Sequence, residues 1–141
     1  MNLGQLGIAL VMGIAAIGSA IGIGIAGQAA IGAWKKCYMQ NKAAPLNLTV
    51  YAGAPLTQTI YGFLLAQQMK GATADPAFLF GLGIASGVAM ALSAFAQGKA
   101  GAAGADALAE TGKGFSQNIT VVGLCETVAL FALVFSMVAL G

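Results

Sequence analysis

Glu126 is the only charge between Gly114 and Gly141, in a stretch otherwise built from apolar and small polar residues. The other acids, Asp75, Asp106 and Glu110, stand near lysines in polar patches and read as solvated faces. Glu126 falls about eight residues into an apolar segment predicted as helix from 117, roughly 12 Å from its start. An ionised carboxyl at that depth in lipid is costly unless it is protonated, paired or bound to a cation. No lysine falls at a similar depth, and the chain has no arginine or histidine, so the pattern offers no ion pair. Two readings remain: a structural carboxyl that stays protonated, or an ion carrier that alternates between loaded and empty. The neighbouring side chains favour the carrier.

Those side chains bring oxygen. Thr57, Gln58 and Tyr61 share an earlier segment, with Tyr61 one helical turn from Thr57 and therefore on its face. Pro55 lacks a backbone donor, which frees the carbonyl near position 51 and loosens that turn. Gln97 is expected at the end of the membrane part of a third segment. A hydroxyl, two amide oxygens, a backbone carbonyl and one carboxylate make a hard, all-oxygen site, the kind that alkali and alkaline-earth cations take. One carboxylate neutralises a monovalent ion and leaves a neutral site that lipid tolerates. A proton needs only the carboxyl and one acceptor, so the extra oxygens point to sodium. Each amide alone would serve equally as an interhelical hydrogen bond.

The elements that must position these groups follow from composition. Of 141 residues, 7% are charged, 59% are hydrophobic and 21 are glycine, with a mean hydropathy of +0.87. Soluble domains carry about 25% charged residues, so a water-facing surface cannot be built from this supply. Disorder is excluded by the same deficit. A net charge of +2 over six lysines makes no nucleic-acid stripe. The expected class is an all-α integral membrane protein.

Nine of the ten charges are expected in three connectors, which leaves four apolar stretches at about 3–33, 46–69, 77–105 and 117–140. Each exceeds the roughly 20 residues a crossing helix needs. The first and third are too long for hydrocarbon alone, so their ends near Trp34 and Lys99 should project into headgroups or water, where Trp34 and Tyr38 suit the interface. Residues 1–30 do not read as a cleaved signal, since no basic start precedes them. The lysines of the 34–46 and 99–116 connectors place those loops in the cytoplasm and both termini outside. Cys37 and Cys125 fall at different depths and are not expected to bridge.

The chain repeats itself. Asn47-Leu48-Thr49-Val50 returns as Asn118-Ile119-Thr120-Val121, 71 positions on, while Thr59 and Phe63 return as Thr127 and Phe131, 68 positions on. Residues 1–72 and 73–141 thus read as two tandem helical hairpins, parallel copies in which Gln58 stands where the second copy has Glu126. Gly18, Gly22, Ala26 and Ala30 form a small-residue ladder, as do Gly83, Gly87 and Ala91. Such ladders let helix backbones approach closely in lipid. They suit either pairing within one chain or the crowded wall of a ring of many copies, and the ring is the preferred reading. Gly22–Gly27 spells a dinucleotide fingerprint, but inside an apolar helix with no preceding strand it is packing.

Ala54-Pro55-Leu56-Thr57-Gln58-Thr59-Ile60-Tyr61-Gly62-Phe63, Ala96-Gln97-Gly98-Lys99 and Cys125-Glu126-Thr127 resemble the membrane rotor proteolipid of V-type and archaeal-type rotary ATPases. The resemblance covers nearly the whole chain and is nearest to the sodium-translocating members. It implies a ring of identical four-helix subunits turning against a stator subunit that supplies an arginine, with central-stalk subunits docked on the cytoplasmic connectors. By motif, Glu126 becomes the ion carboxylate, and Thr57, Gln58 and Gln97 give side-chain oxygens. Ala54 gives its backbone carbonyl, and Tyr61 holds Glu126 by a hydrogen bond. Ala54 replaces a bulkier residue often found there, which matters little if only its carbonyl is used. The bound cargo would be Na+, with H+ as the alternative. ATP chemistry would live on partners, because nothing here resembles a phosphate loop. The rival reading is a small four-helix cation-coupled exporter, against which the glycine ladders argue for closure rather than a substrate cavity.

Overall fold

The computed structural model describes residues 2–141. Every element is helical: α1 Leu3–Met39, α2 Leu48–Gly53, a 3-10 turn Ala54–Leu56, α3 Thr57–Gly71, α4 Pro76–Thr111 and α5 Phe115–Leu140. The ends obey local chemistry. Asn2 caps α1 by accepting from the Gln5 amide, and Asp75 caps α4 by accepting from Ala77 and Phe78, ahead of Pro76 at the first helical position. α4 stops at Gly112, whose φ of 65° is left-handed.

Three helices, α1, α4 and α5, are individually long and apolar enough to cross a membrane. The sequence predicts a second span over 46–69 with a turn loosened by Pro55; the structure starts it at Leu48 and makes that turn a 3-10 turn over Ala54–Leu56. The missing N–H of Pro55 breaks the ladder there. Ser19 of α1 accepts from the Thr59 amide at 3.2 Å, and Gly22 leaves room for the Pro55 ring.

The placement of the charges is also corrected. α1 runs six residues past its predicted end and α4 runs to Thr111, so Lys35, Lys36, Lys99, Asp106 and Glu110 are helical rather than in connectors, and Lys70 closes α3. Charges on an exposed face do not end a helix, and the alanine-rich stretch from Ala100 to Ala109 has high helix propensity. At about 1.5 Å per residue, α1 with 37 residues is about 55 Å long, well beyond the roughly 40–45 Å of a whole bilayer. Its tip and that of α4 are joined by Lys36, which pairs with Glu110 and stands 3.9 Å from Asp106. Asp75 is a helix cap rather than a merely solvated acid.

Of the two uses open to the glycine ladders, pairing within the chain is seen. α1 and α4 lie parallel and in register: a Cβ on Gly83 would stand 2.2 Å from the Gly7 carbonyl oxygen, one on Gly18 2.2 Å from the Ala91 Cα, and one on Gly98 2.4 Å from the Gly22 carbonyl oxygen. α3 packs on α1, where Gly62 meets Val11, Met12 and Ala15, and α5 packs on α4. The small residues therefore join the first helix of each copy to its counterpart.

Burial is layered along the helices. One apolar cluster contains Ala30, Cys37, Leu48, Tyr51, Leu108 and Val122; another contains Val11, Leu65, Met69, Met90, Ala129 and Leu133. Between them along α1, α3 and α4 lie the buried polar residues Ser19, Gln58, Ser93 and Gln97. Large side chains such as Ile17, Leu92, Leu124 and Phe135 are more than half exposed, as lipid or a neighbouring apolar surface requires. Both cysteines are free.

Candidate functional site

Glu126 lies in the polar layer. It is the twelfth of the 26 residues of α5, about 17 Å from the helix start and so nearer its middle than the sequence suggests. About 3 Å of the difference arises because α5 begins two residues earlier than predicted. Gln97 sits fully buried inside α4.

One hydrogen-bonded network gathers every residue singled out from the sequence. The Tyr61 hydroxyl donates to Glu126 Oε1 at 2.5 Å, and Gln97 Nε2 donates to Glu126 Oε2 at 3.2 Å and to the Val122 carbonyl at 3.1 Å. Gln58 Nε2 donates to Gln97 Oε1 at 2.9 Å. Thr57 Oγ1 stands 3.1 Å from the Ala54 carbonyl and 3.2 Å from Gln58 Oε1. Helices α3, α4 and α5 and the 3-10 turn thus each contribute to one cluster.

Its placement follows from the local folding. Gln97 and Glu126 extend from α4 and α5 at the same level, while the 3-10 turn tips the Ala54 carbonyl toward Thr57. Gln58 and Gln97 have no exposed surface, and buried amides of this kind must be hydrogen-bonded. Among the described residues no buried side-chain nitrogen or oxygen lacks a partner.

The electrostatics are unusual in what surrounds the acid. Both donors to Glu126 are neutral, and the ion pairs among the described residues join Lys36 to Glu110 and Asp106, not Glu126. Lys99, two positions after Gln97, is on the outer face with its ammonium 5.2 Å from the centre of the Phe95 ring. Among the described residues no three histidine, cysteine or acidic side chains are placed to hold a metal ion together. One carboxylate beside neutral oxygens suits a proton or a monovalent cation better than a divalent metal.

Sequence reasoning missed two members of this layer. Ser93 donates to the Cys125 carbonyl at 2.6 Å and accepts from Gln58 at 3.3 Å. Its signal was available, since it precedes Gln97 by one helical turn and shares its face. Ser19, which supports the turn before Thr59, carried no such signal, because only the register of α1 on α3 pairs them.

Residues 80–139 match the model of the ATP synthase C-subunit family. That match contains Gln97 and Glu126 but not Thr57, Gln58 or Tyr61. The A-type ATP synthase subunit K of Methanocaldococcus jannaschii is 38% identical over 140 residues, which cover 98% of this chain and 61% of that protein. The chain spans about three-fifths of the length of this curated relative. With its long apolar helices, the chain is a multi-pass membrane protein.

Proposed function

We propose that this chain is a rotor-ring subunit of a rotary ATPase of the archaeal or V type, carrying one monovalent cation per chain at Glu126, sodium in preference to a proton. The observation that supports this most is the position of Glu126: a single carboxyl, mid-helix, held only by neutral donors and joined through Gln97 to a set of oxygens. The similarity to an A-type ATP synthase subunit K agrees with it.

In this reading the membrane is crossed four times, by two tandem hairpins over residues 1–72 and 73–141. α2, the 3-10 turn and α3 follow one another without a gap from Leu48 to Gly71, which at about 1.5 Å per residue suffices for the second crossing. The tips of α1 and α4, joined by Lys36, face the cytoplasm and the central stalk, and both termini face outward.

The residues then have distinct tasks. Ionised Glu126 attracts the cation and neutralises it. Gln58, Thr57 and Gln97 offer side-chain oxygens and Ala54 its carbonyl, while Tyr61 fixes the carboxyl. A neutral, loaded site can pass the lipid-facing circumference, whereas a bare carboxylate cannot do so cheaply. At the stator a fixed positive charge, such as an arginine, displaces the cation and pairs with the emptied acid. Rotation is thereby coupled to ion movement, and the chain itself performs no bond chemistry; ATP is handled by partner subunits.

A hydrophobic carbodiimide, which reacts with a protonated carboxyl, tests the ion. Sodium should slow modification of Glu126, and the protection should weaken in Gln97→Ala. Labelling indifferent to sodium from about pH 6 to 8, the range around neutrality, would favour a proton carrier with the glutamines as interhelical bonds. Tyr61→Phe removes a hydrogen bond to the acid. Bonds to charged groups contribute about 1.5–3 kcal/mol, so ion binding should weaken roughly ten- to hundredfold, measured as the sodium concentration that halves the labelling rate.

A further inference from the structure

Ser93 is 4% exposed and makes two bonds of opposite sense. Its hydroxyl has one hydrogen, and that hydrogen goes to the Cys125 carbonyl at 2.6 Å. Toward Gln58 it can therefore only accept, and it does so from Nε2 at 3.3 Å. Gln97 Oε1 accepts from the same nitrogen at 2.9 Å, so both amide hydrogens of Gln58 are committed to α4. The two ends of an amide are nearly alike in shape, so its orientation is set by the groups around it. With the nitrogen held on α4, Gln58 Oε1 is left on the side of Thr57 Oγ1, 3.2 Å away, and Thr57 in turn meets the Ala54 carbonyl. Three oxygens are thereby brought to one side of the cluster.

We infer that Ser93 is a positioning residue that sets ion preference: anchored on the α5 backbone next to Glu126, it holds the Gln58 amide with its oxygen available to a cation. The inference rests on the proposed reading that Glu126 carries sodium. It separates two ions that share one acid. A proton requires the Glu126 carboxyl with its Tyr61 and Gln97 contacts, none of which is a bond to Ser93. Sodium requires the oxygens, and without the Ser93 acceptor the Gln58 amide is oriented by Gln97 Oε1 alone and holds its oxygen less firmly.

The test uses membranes containing the assembled complex, with carbodiimide labelling of Glu126 as readout. Two quantities are measured: the sodium concentration that halves the labelling rate, and, without sodium, the pH at which labelling is half-maximal. Ser93→Ala should raise the first about tenfold, the equivalent of about 1.4 kcal/mol and the size of one hydrogen bond, and leave the second unchanged. Ser93→Cys keeps the volume with a weak donor and acceptor, and should shift sodium in the same direction if the alanine variant does not assemble. Ser93→Thr retains the hydroxyl and should restore sodium protection. Ser86→Ala, whose hydroxyl pairs with Ser136 in the other apolar layer, should change neither quantity. A sodium requirement unchanged in both Ser93→Ala and Ser93→Cys would overturn the inference while the sodium reading stood. A shift of sodium and pH together would overturn it too, since that marks general loosening. If the unmodified protein shows no sodium protection, the sodium reading itself fails, and this inference with it.

Discussion

Glu126→Gln should reduce ion transport to background while the chain still folds and assembles. The amide has nearly the shape of the carboxyl; with its oxygen turned to accept from Gln97 Nε2, its nitrogen can donate to the Tyr61 hydroxyl, so the packing between α3, α4 and α5 can be kept. What disappears is the ability to hold a negative charge. Without it, the cluster has neutral oxygens alone, a cation entering it remains uncompensated in lipid, and nothing draws the chain toward a positive stator group. The effect should be near-complete because no second acid lies within the network. Asp106→Asn supplies the contrast. Asp106 is largely exposed and 3.9 Å from Lys36, which already has Glu110. Exposed pairs contribute about 0.2–1 kcal/mol, so transport and assembly should be nearly unaffected. Vesicles holding the reconstituted complex would decide it; retained transport in Glu126→Gln would remove the mechanism.

The second large effect is structural. Gly83→Val should prevent the chain from accumulating in folded form. Even the first carbon of a side chain at position 83 would lie 2.2 Å from the Gly7 carbonyl oxygen and 2.9 Å from the Gly7 Cα. The obstacle is backbone, so no rotamer change relieves it, and α1 and α4 must move apart. That separation loosens the contacts at Gly18, Gly22 and Gly98 as well, since all lie along one parallel interface. Overpacking a core costs about 1–3 kcal/mol and sometimes more, and a displaced helix pair falls at the upper end. Gly24→Ala should behave differently: nothing lies within 4 Å of a Cβ there, and alanine favours helix by about 0.8–1.0 kcal/mol. Yield and thermal unfolding in detergent compare the two. A Gly83→Val protein melting with the unmodified one would refute the close parallel packing.

Much of this was written in composition and spacing. Seven per cent charge and long uncharged runs impose a helical membrane protein, because only internally hydrogen-bonded backbone survives in lipid. The isolation of Glu126 marks it as the acid to explain, for the same dielectric reason. Thr57, Gln58, Tyr61 and Gln97 announced themselves as polar groups in apolar segments, and the structure gathers them with Glu126 and the Ala54 carbonyl into one network.

Helix ends were less legible. Lys35, Lys36, Asp106 and Glu110 suggested connectors, yet they continue helices, since a charge facing water has no cost to a helix and only Asn41 and Gly112 adopt the left-handed backbone that ends these two. The use of the ladders was also undecided, because small residues permit close approach without naming the partner; the structure pairs Gly7 with Gly83 and Gly22 with Gly98 inside one chain. Ser19 and Ser93 became meaningful only in three dimensions. A serine in an apolar helix can bond back to its own backbone or reach across, and the residues it meets lie dozens of positions away. The amino-acid sequence therefore determined which polar groups stand in apolar segments and that lipid surrounds those segments. Which amide hydrogen meets which oxygen was decided by the register of four helices, a property of packing that no single segment contains.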